Sequence, residues 1–244
     1  MNNTLISAIV MMSSISVLFL AVGCSEQQSG SGKESEPPSL TMTKEAQEQL
    51  TPQEILQYAK EGNQRFLSGK SYERDLLGDQ KLTAKGQYPA AIILSCIDSR
   101  APAEIIFDLG IGDVFNARVA GNFVNTDIVA SIEFACKVAG AKLVLVMGHS
   151  HCGAVKSACD GVELGNITAM LANIKPAVEA VQDIEGERTS KNPQFVAAVA
   201  RQNVLLAKKN MTGVSPLLKE MAANGEILIV GCMYDIESGK VEFY

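Results

Sequence analysis

The sequence predicts an α/β domain in which a mainly parallel central β-sheet is flanked by helices. Two apolar runs, Ala90–Ser95 and Leu143–Met147, have the length and composition of strands that are buried on both faces. Asp127–Ala139, which lies between them, carries apolar residues at helical spacing. Strands that alternate with helices favour a parallel sheet, because the connecting helices cover its faces.

Local signals define the other elements in chain order. The first helix begins at Thr51, an N-cap residue that is followed by Pro52 at the first helical position and by Glu54 three residues on. The pattern then predicts a helix from Pro102 to Leu109 closed by Gly110, a strand at Val114–Val119, helices between Ile167 and Asn224 that include Pro193–Lys209 capped by Asn192, and a strand at Ile227–Val230.

Length and charge limit the classes of function. The chain has 244 residues, 47% of them hydrophobic, which suits one sizeable domain or at most two small ones. Its formal net charge is −6, and the charged residues form no long run of one sign. A general nucleic-acid-binding protein is therefore excluded, since no basic face is evident that could neutralise phosphates.

The N-terminal residues have the pattern of an export signal. Residues 5–22 are nearly all apolar or small, and Cys24 follows Gly23 as in a bacterial lipobox, where the cysteine is lipidated. The alternatives are a transmembrane anchor and a cleaved signal with an incidental cysteine. We expect a lipoprotein-type signal peptide at 1–23, a flexible polar linker at 24–45 and a folded domain at 46–244. The protein is then expected in the cell envelope or periplasm, held to a membrane by its lipid.

Three potential metal ligands follow two of the predicted strands. Cys96 comes directly after the first buried strand, and His149 and Cys152 come just after the second. The carboxyl ends of parallel strands meet at one edge of a sheet, so these side chains are expected to converge. Two thiolates and one imidazole suit Zn²⁺ with one position left open. His149 is favoured over His151, because adjacent side chains rarely converge on one ion.

Asp98 and Arg100 give this site a catalytic character. A surface ion pair of this kind is usually worth little. Beside a metal-bound water, however, Arg100 could hold the Asp98 carboxylate by a bidentate contact and leave an oxygen free to accept a hydrogen bond. A structural zinc site would need a fourth protein ligand instead of this pair.

The remaining cysteines leave the redox state open. Of the six cysteines, Cys24 is assigned to lipid and two to metal, so that Cys136, Cys159 and Cys232 remain. Cys232 lies in an apolar run and is expected to be a buried thiol. A disulfide between Cys136 and Cys159 is one option for an exported protein.

These motifs together resemble one family. Cys96-x-Asp98-x-Arg100 with His149-x-x-Cys152-Gly153 is similar to the β-class carbonic anhydrases. The similarity extends to four further segments, Glu61–Phe66, Gly112–Phe115, Arg118–Asn122 and Tyr234–Lys240. It implies one Zn²⁺ per subunit held by Cys96, His149 and Cys152, and a catalytic dyad of Asp98 and Arg100. It also implies an N-terminal helical arm that embraces a partner, in a homodimer or higher homo-oligomer with the active site at the subunit interface.

The resemblance assigns substrate residues by spacing from the ligands. Gln87 matches the family's substrate-orienting glutamine, and Phe115 matches an apolar wall residue. Phe134 stands where some plant-type members have tyrosine. Ile93 replaces a tryptophan found in members with an inhibitory bicarbonate site, so that no bicarbonate switch is implied. CO₂ is then expected in a small apolar pocket lined by Phe115 and Phe134.

The implied activity is the reversible hydration of CO₂ to bicarbonate and a proton, the carbonate dehydratase reaction of a lyase, with zinc-bound hydroxide as nucleophile. His151 is a candidate proton relay, or else it merely fills a loop position. Two alternatives stay open: a CS₂ or COS hydrolase on the same fold, and a non-catalytic zinc-binding protein of the envelope. The pair of Asp98 and Arg100 argues against the second, because zinc storage needs no such dyad.

Overall fold

The computed structural model describes residues 41–244, whose five strands form one sheet in the order β2-β1-β3-β4-β5. The strands are β1 Ala91–Ser95, β2 Val114–Arg118, β3 Leu143–His149, β4 Leu228–Tyr234 and β5 Val241–Phe243. The first four are parallel, and β5 runs antiparallel to β4. The predicted α/β class with a mainly parallel sheet is confirmed.

The two central strands have no exposed face. Every residue of β1 and β3 is buried. Successive side chains of a strand point to opposite faces, so Ile92 and Val144 belong to one apolar layer and Ile93 and Leu145 to the other. This double burial explains why both strands read as continuous apolar runs in the sequence.

Helices cover both faces of the sheet. They are α1 Lys44–Gln49, α2 Pro52–Ser68, α3 Leu76–Thr83, α4 Ala103–Ile106, α5 Thr126–Glu133, α6 Gly153–Cys159, α7 Gly165–Leu171, α8 Lys175–Ala180, α9 Pro193–Val214 and α10 Pro216–Ala223. A π-helical turn, Phe134–Val138, continues α5.

The predicted helix starts are confirmed by their hydrogen bonds. Thr51 and Glu54 form a reciprocal capping box at the start of α2. Asn192 accepts hydrogen bonds from the backbone N–H groups of Gln194 and Phe195, so it caps α9. Helices α2 and α9 therefore begin at side chains that accept hydrogen bonds from otherwise unpaired backbone N–H groups.

Several element boundaries differ from the prediction. The helix expected from Pro102 to Leu109 is shorter, because α4 ends at Ile106 and Asp108 adopts a left-handed φ of 51°. Strands β3 and β4 are longer than expected, so that His149 is the last residue of β3 and does not follow it. Strand β5 and the helices α1 and α3 were not predicted.

The expected signal peptide, Cys24 and most of the linker lie outside the described residues. The chain from Thr41 onward packs against the domain: the Thr41 hydroxyl donates a hydrogen bond to Asp79 in α3 at 2.6 Å. Among residues 41–244, no helix has both the length and the apolar character that crossing a membrane requires.

Candidate metal centre

Cys96, His149 and Cys152 converge at the carboxyl edge of β1 and β3. The two strands pair in parallel with Ser95 opposite Met147, so the residues that follow emerge side by side. The three ligand atoms lie within 4.8 Å of one another, and the two sulfurs are 3.9 Å apart. All three side chains are buried. This cluster fits a zinc site with three protein ligands and one open position, as predicted.

The hydrogen bonds of His149 leave one ring nitrogen for a metal. Its Nδ1 lies 2.8 Å from the Ser150 carbonyl oxygen, so Nδ1 carries the proton and donates it there. Nε2 is buried and has no hydrogen-bond partner among the described residues. A buried unpaired nitrogen is costly, and metal coordination would satisfy it.

His151 is excluded from the ligand set. Its side chain is 47% exposed, and its Nε2 lies 3.2 Å from Glu237 Oε1. The structure thus groups His149, and not His151, with the two cysteines, while a proton-relay role for His151 stays a prediction.

The pKa values of the two cysteine ligands are shifted in opposite directions. A hydrogen bond from Cys152 is the main factor that lowers the pKa of Cys96, and the N–H of Gly121 contributes to the same effect. The pKa of Cys152 is raised, first by its contact with the Cys96 sulfur and then by burial. A divalent cation between the sulfurs would displace the remaining proton, because the ligating form of cysteine is the thiolate.

Close packing fixes the loop that carries His149 and Cys152. A Cβ atom on Gly148 would lie 2.7 Å from both Met233 Sδ and Val204 Cγ2, so a larger residue there would force these side chains to move. Ser150 donates its N–H to the Tyr234 carbonyl at 2.9 Å, which ties the loop to the end of β4. At Gly153, by contrast, a Cβ atom would meet nothing within 4 Å.

The predicted pairing of Asp98 and Arg100 is present. Arg100 donates from Nε to Oδ1 at 2.9 Å and from Nη2 to Oδ2 at 2.8 Å, and its backbone N–H also reaches Oδ1 at 2.9 Å. These contacts hold the pKa of Asp98 well below its usual range. Oδ2 of Asp98 lies 3.8 Å from His149 Nε2, so an ionised carboxylate stands beside the metal ligands.

Arg118 holds the loop that connects Cys96 to Asp98. Its Nε donates to the Cys96 carbonyl at 2.9 Å, and its Nη2 donates to the Asp98 carbonyl at 2.7 Å. Sequence spacing did not indicate this contact. It follows from the pairing of Arg118 with Ser95 across β1 and β2, which only the register of the sheet defines.

The expected substrate residues lie apart from the metal ligands within one chain. Phe115 and Phe134 meet edge to face with their ring centroids 6.5 Å apart, and both line a cavity of about 440 Å³. The other lining residues are Ile92, Asn116, Ala117, Ile128, Ala130 and Ser131. We call this cavity the β2 groove. Cys96, His149 and Cys152 all lie within the described residues 41–244, and none of them lines this cavity.

Strand geometry gives the size of this separation. Phe115 pairs with Ile92, four residues before Cys96. At a rise of roughly 3.3 Å per residue, the two levels of the sheet are about 13 Å apart. Gln87 is exposed and precedes the amino end of β1, whereas Cys96 follows its carboxyl end. Within one chain, therefore, Phe115, Phe134 and Gln87 do not surround the metal ligands, and their roles toward the substrate stay predictions.

The three remaining described cysteines are free thiols. No disulfide forms within residues 41–244, so the optional bond between Cys136 and Cys159 is absent. Burial raises the pKa of Cys136 to about 12 and that of Cys159 to about 11. Cys232 is fully buried, as predicted, and burial raises its pKa as well.

Comparisons with known proteins agree with this geometry. Residues 91–241 match the family described as carbonic anhydrase. Carbonic anhydrase 2 of Mycobacterium tuberculosis is 34% identical over 186 residues, which cover 74% of this chain and 87% of that protein. The carbonic anhydrase of Mycolicibacterium smegmatis is 31% identical over 188 residues, covering 75% and 88%.

Solved structures show the same similarity. The β-carbonic anhydrase CcaA superposes with a TM-score of 0.60 at 27% identity, covering 78% of this chain and 88% of that one. A tetrameric β-carbonic anhydrase of Sordaria macrospora gives a TM-score of 0.58 at 28% identity, covering 78% and 96%.

Proposed function

The chain belongs to the carbonic anhydrase family, in its β class, and on that premise we propose that its metal centre catalyses the reversible hydration of CO₂ to bicarbonate and a proton. One observation carries the proposal: three buried ligand atoms within 4.8 Å of one another stand next to an ion-paired carboxylate. A structural zinc site would use a fourth protein ligand, and a storage site would have no use for the carboxylate.

The metal and its ligands supply the nucleophile. Zinc, when bound by Cys96, His149 and Cys152, acidifies a coordinated water toward neutral pH. The Ser150 carbonyl fixes the ring of His149 through Nδ1, at 2.8 Å, so that the unpaired Nε2 would be free to bind the ion. Gly121 donates to Cys96 Sγ at 3.3 Å and so holds that sulfur in place.

Asp98 acts as a hydrogen-bond acceptor for the reacting water. Because Arg100 keeps its pKa low, the carboxylate is ionised at neutral pH and accepts without donating. Oδ1 already receives two hydrogen bonds from Arg100 and Oδ2 receives one, so Oδ2 retains the free acceptor position nearest the ligands. An acceptor at Oδ2 would take a hydrogen bond from a water held at the metal site and so leave an oxygen lone pair free to face CO₂.

The β2 groove is proposed to serve the metal centre of a second copy of the chain. Strand β2 is the edge of the sheet, and its exposed neighbours include Ile97, Ile105 and Phe134, whose side chains are 62%, 60% and 54% exposed. Apolar side chains at a sheet edge favour association. A homodimer or larger assembly, as in the tetrameric relative, would place Phe115, Phe134 and Gln87 of one copy against the ligands of the other.

Stopped-flow CO₂ hydration tests the activity directly. Protein loaded with one zinc per chain is expected to hydrate CO₂ between about pH 6 and 9, and metal-free protein is expected to be inactive. Parallel assays with COS and CS₂ measure the alternative substrates. A folded, zinc-loaded protein that leaves CO₂ hydration at the uncatalysed rate would contradict the proposal.

We also propose that the protein is exported and anchored by lipid at Cys24. The support is the sequence alone: an apolar segment at 5–22, a cysteine after Gly23 and a polar stretch before the domain. Mass spectrometry of the mature protein should find an acylated N-terminal cysteine, and Cys24→Ser should move the protein from the membrane fraction to the soluble one. An unmodified N-terminus that retains residues 1–23 would contradict the proposal.

A further inference from the structure

Asn203 connects the longest helix of the domain to a zinc ligand. It lies in α9, its side chain is buried with 2% exposure, and its Nδ2 donates to the Gly121 carbonyl at 2.7 Å. The N–H of Gly121 in turn donates to Cys96 Sγ at 3.3 Å. Two hydrogen bonds therefore link α9 to the sulfur through a single residue.

Gly121 lies in a turn that is closed by a hydrogen bond from the Asn122 N–H to the Val119 carbonyl at 2.9 Å. Its φ is +82°, and the next residue, Asn122, is also left-handed at φ +42°. A non-glycine residue with a positive φ is uncommon, so Asn122 adds strain to this turn. The hydrogen bond that closes the turn does not involve the Gly121 carbonyl, which Asn203 binds instead. A Cβ atom on Gly121 would lie 2.4 Å from Ile174 Cδ1, which also restricts the position to glycine.

We propose that Asn203 is a positioning residue for the metal centre: by holding the Gly121 carbonyl, it aims the Gly121 N–H at Cys96 Sγ and so limits the charge that this sulfur donates to zinc. The inference rests on the proposed zinc site. Hydrogen bonds to ligand sulfurs tune the metal that they hold, because they withdraw charge from the thiolate.

Helix α9 also supports the other half of the site. Val204, the next residue after Asn203, packs where Gly148 leaves no side chain, directly before His149. One helix thus contacts the residues that orient both Cys96 and His149. A side chain that only satisfied a buried carbonyl would stabilise the fold without affecting the electronic state of the sulfur.

Cobalt(II)-substituted protein distinguishes the two roles, since the energy of its thiolate-to-metal charge-transfer band reports charge on the sulfurs. We compare the wild type with Asn203→Leu, which keeps the branched shape of the side chain without a donor, and with Asn203→Ala. Met211→Ala is the matched control, because Met211 is buried in the same helix but packs in an apolar layer without metal ligands. Zinc affinity is measured by competition with a chelator.

Both Asn203 variants are expected to shift the charge-transfer band to lower energy and to weaken zinc binding about tenfold or more. Met211→Ala is expected to lower thermal stability without moving the band. If a folded Asn203 variant matches the wild type in band energy and zinc affinity, the proposal is overturned; should one variant fail to fold, the other decides. The readout needs no turnover of CO₂, so a failure of the proposed activity would be recognised separately.

Discussion

Two regions of the molecule contribute to the proposed active site: the carboxyl edge of strands β1 and β3, and the β2 groove. They differ in how many of their functional residues a single chain brings together. At the edge, three ligands and the Asp98–Arg100 pair meet through strand order and a short loop. The β2 groove holds Phe115 and Phe134, but no metal ligand lines it. The comparison teaches that the fold of one chain brings the metal ligands and the Asp98–Arg100 pair together, whereas the proposed substrate residues would reach a metal only in an assembly of two copies.

The largest expected effect is the loss of a ligand at the carboxyl edge. Cys152→Ala should abolish stoichiometric zinc binding and CO₂ hydration together, because two remaining protein ligands cannot complete the site. Metal content of the purified protein and stopped-flow rates measure both. Cys159→Ser is the matched control, since this thiol is free and outside the ligand cluster, and it should keep both properties. Equal zinc content in the Cys152 variant would contradict the ligand assignment.

The variant Asp98→Asn tests the catalytic role of the carboxylate separately from zinc binding. The amide keeps the shape of the carboxylate but loses its charge and turns one acceptor into a donor. We expect zinc content to stay at the wild-type level and the hydration rate to fall about 100-fold or more. Glu220→Gln, on the exposed surface of α10, is the control for a lost carboxylate. A wild-type rate in Asp98→Asn would show that the ion pair is only structural.

A mixed oligomer tests whether the β2 groove serves the partner's metal. Phe115→Arg should block the groove, and Asp98→Asn should disable the metal edge, so each pure variant is expected to be nearly inactive. In a dimer that contains one chain of each kind, both changes fall on one site and the other site is intact. Random mixing should therefore restore about a quarter of the wild-type activity.

The control for this experiment is a homodimer of the double variant, in which every chain carries both Phe115→Arg and Asp98→Asn. This homodimer should stay inactive. If the groove and the ligands of one chain formed the same site, every site in the mixed dimer would carry one change, and no activity would return. That result would contradict the proposed division of the site between copies.

Residues next to strand ends could be predicted from the sequence. Cys96 and His149 were placed together because their strands are continuous apolar runs, and the carboxyl ends of parallel strands share an edge. The contacts of Arg118 and Asn203 could not be predicted, since they depend on sheet register and on which face of α9 meets the sheet. Such long-range contacts leave no periodic signal along the chain.

The ends of helices and strands also depend on long-range contacts that the sequence does not reveal. Apolar periodicity after Pro102 predicted a helix as far as Leu109, but the left-handed Asp108 ends it early. Asp108 is held there by an ion pair with Arg65 from α2, a partner that is 43 residues away. Strand β5 is only three residues long, so its pattern is too short to detect.

The smallest expected effect concerns a site remote from both regions, the start of α2. Thr51→Ala removes the capping side chain and should lower the free energy of unfolding by about 1 kcal/mol, as chemical denaturation would measure. Hydrogen bonds from Thr51 lower the pKa of Glu54, so the contribution of this carboxylate is present above its unfolded-state pKa and is lost as the pH falls through the folded-state value. The difference between variant and wild type should therefore narrow in acid.

Zinc affinity and the CO₂ hydration rate of Thr51→Ala, measured where the protein is fully folded, should match the wild type. The capping box contacts neither the carboxyl edge nor the β2 groove, so its loss should not change the geometry of either region. If this variant weakened zinc binding as strongly as the Asn203 variants, stability itself would govern the metal centre. The distinction between the edge, which orients ligands, and the scaffold, which only keeps the chain folded, would then be wrong.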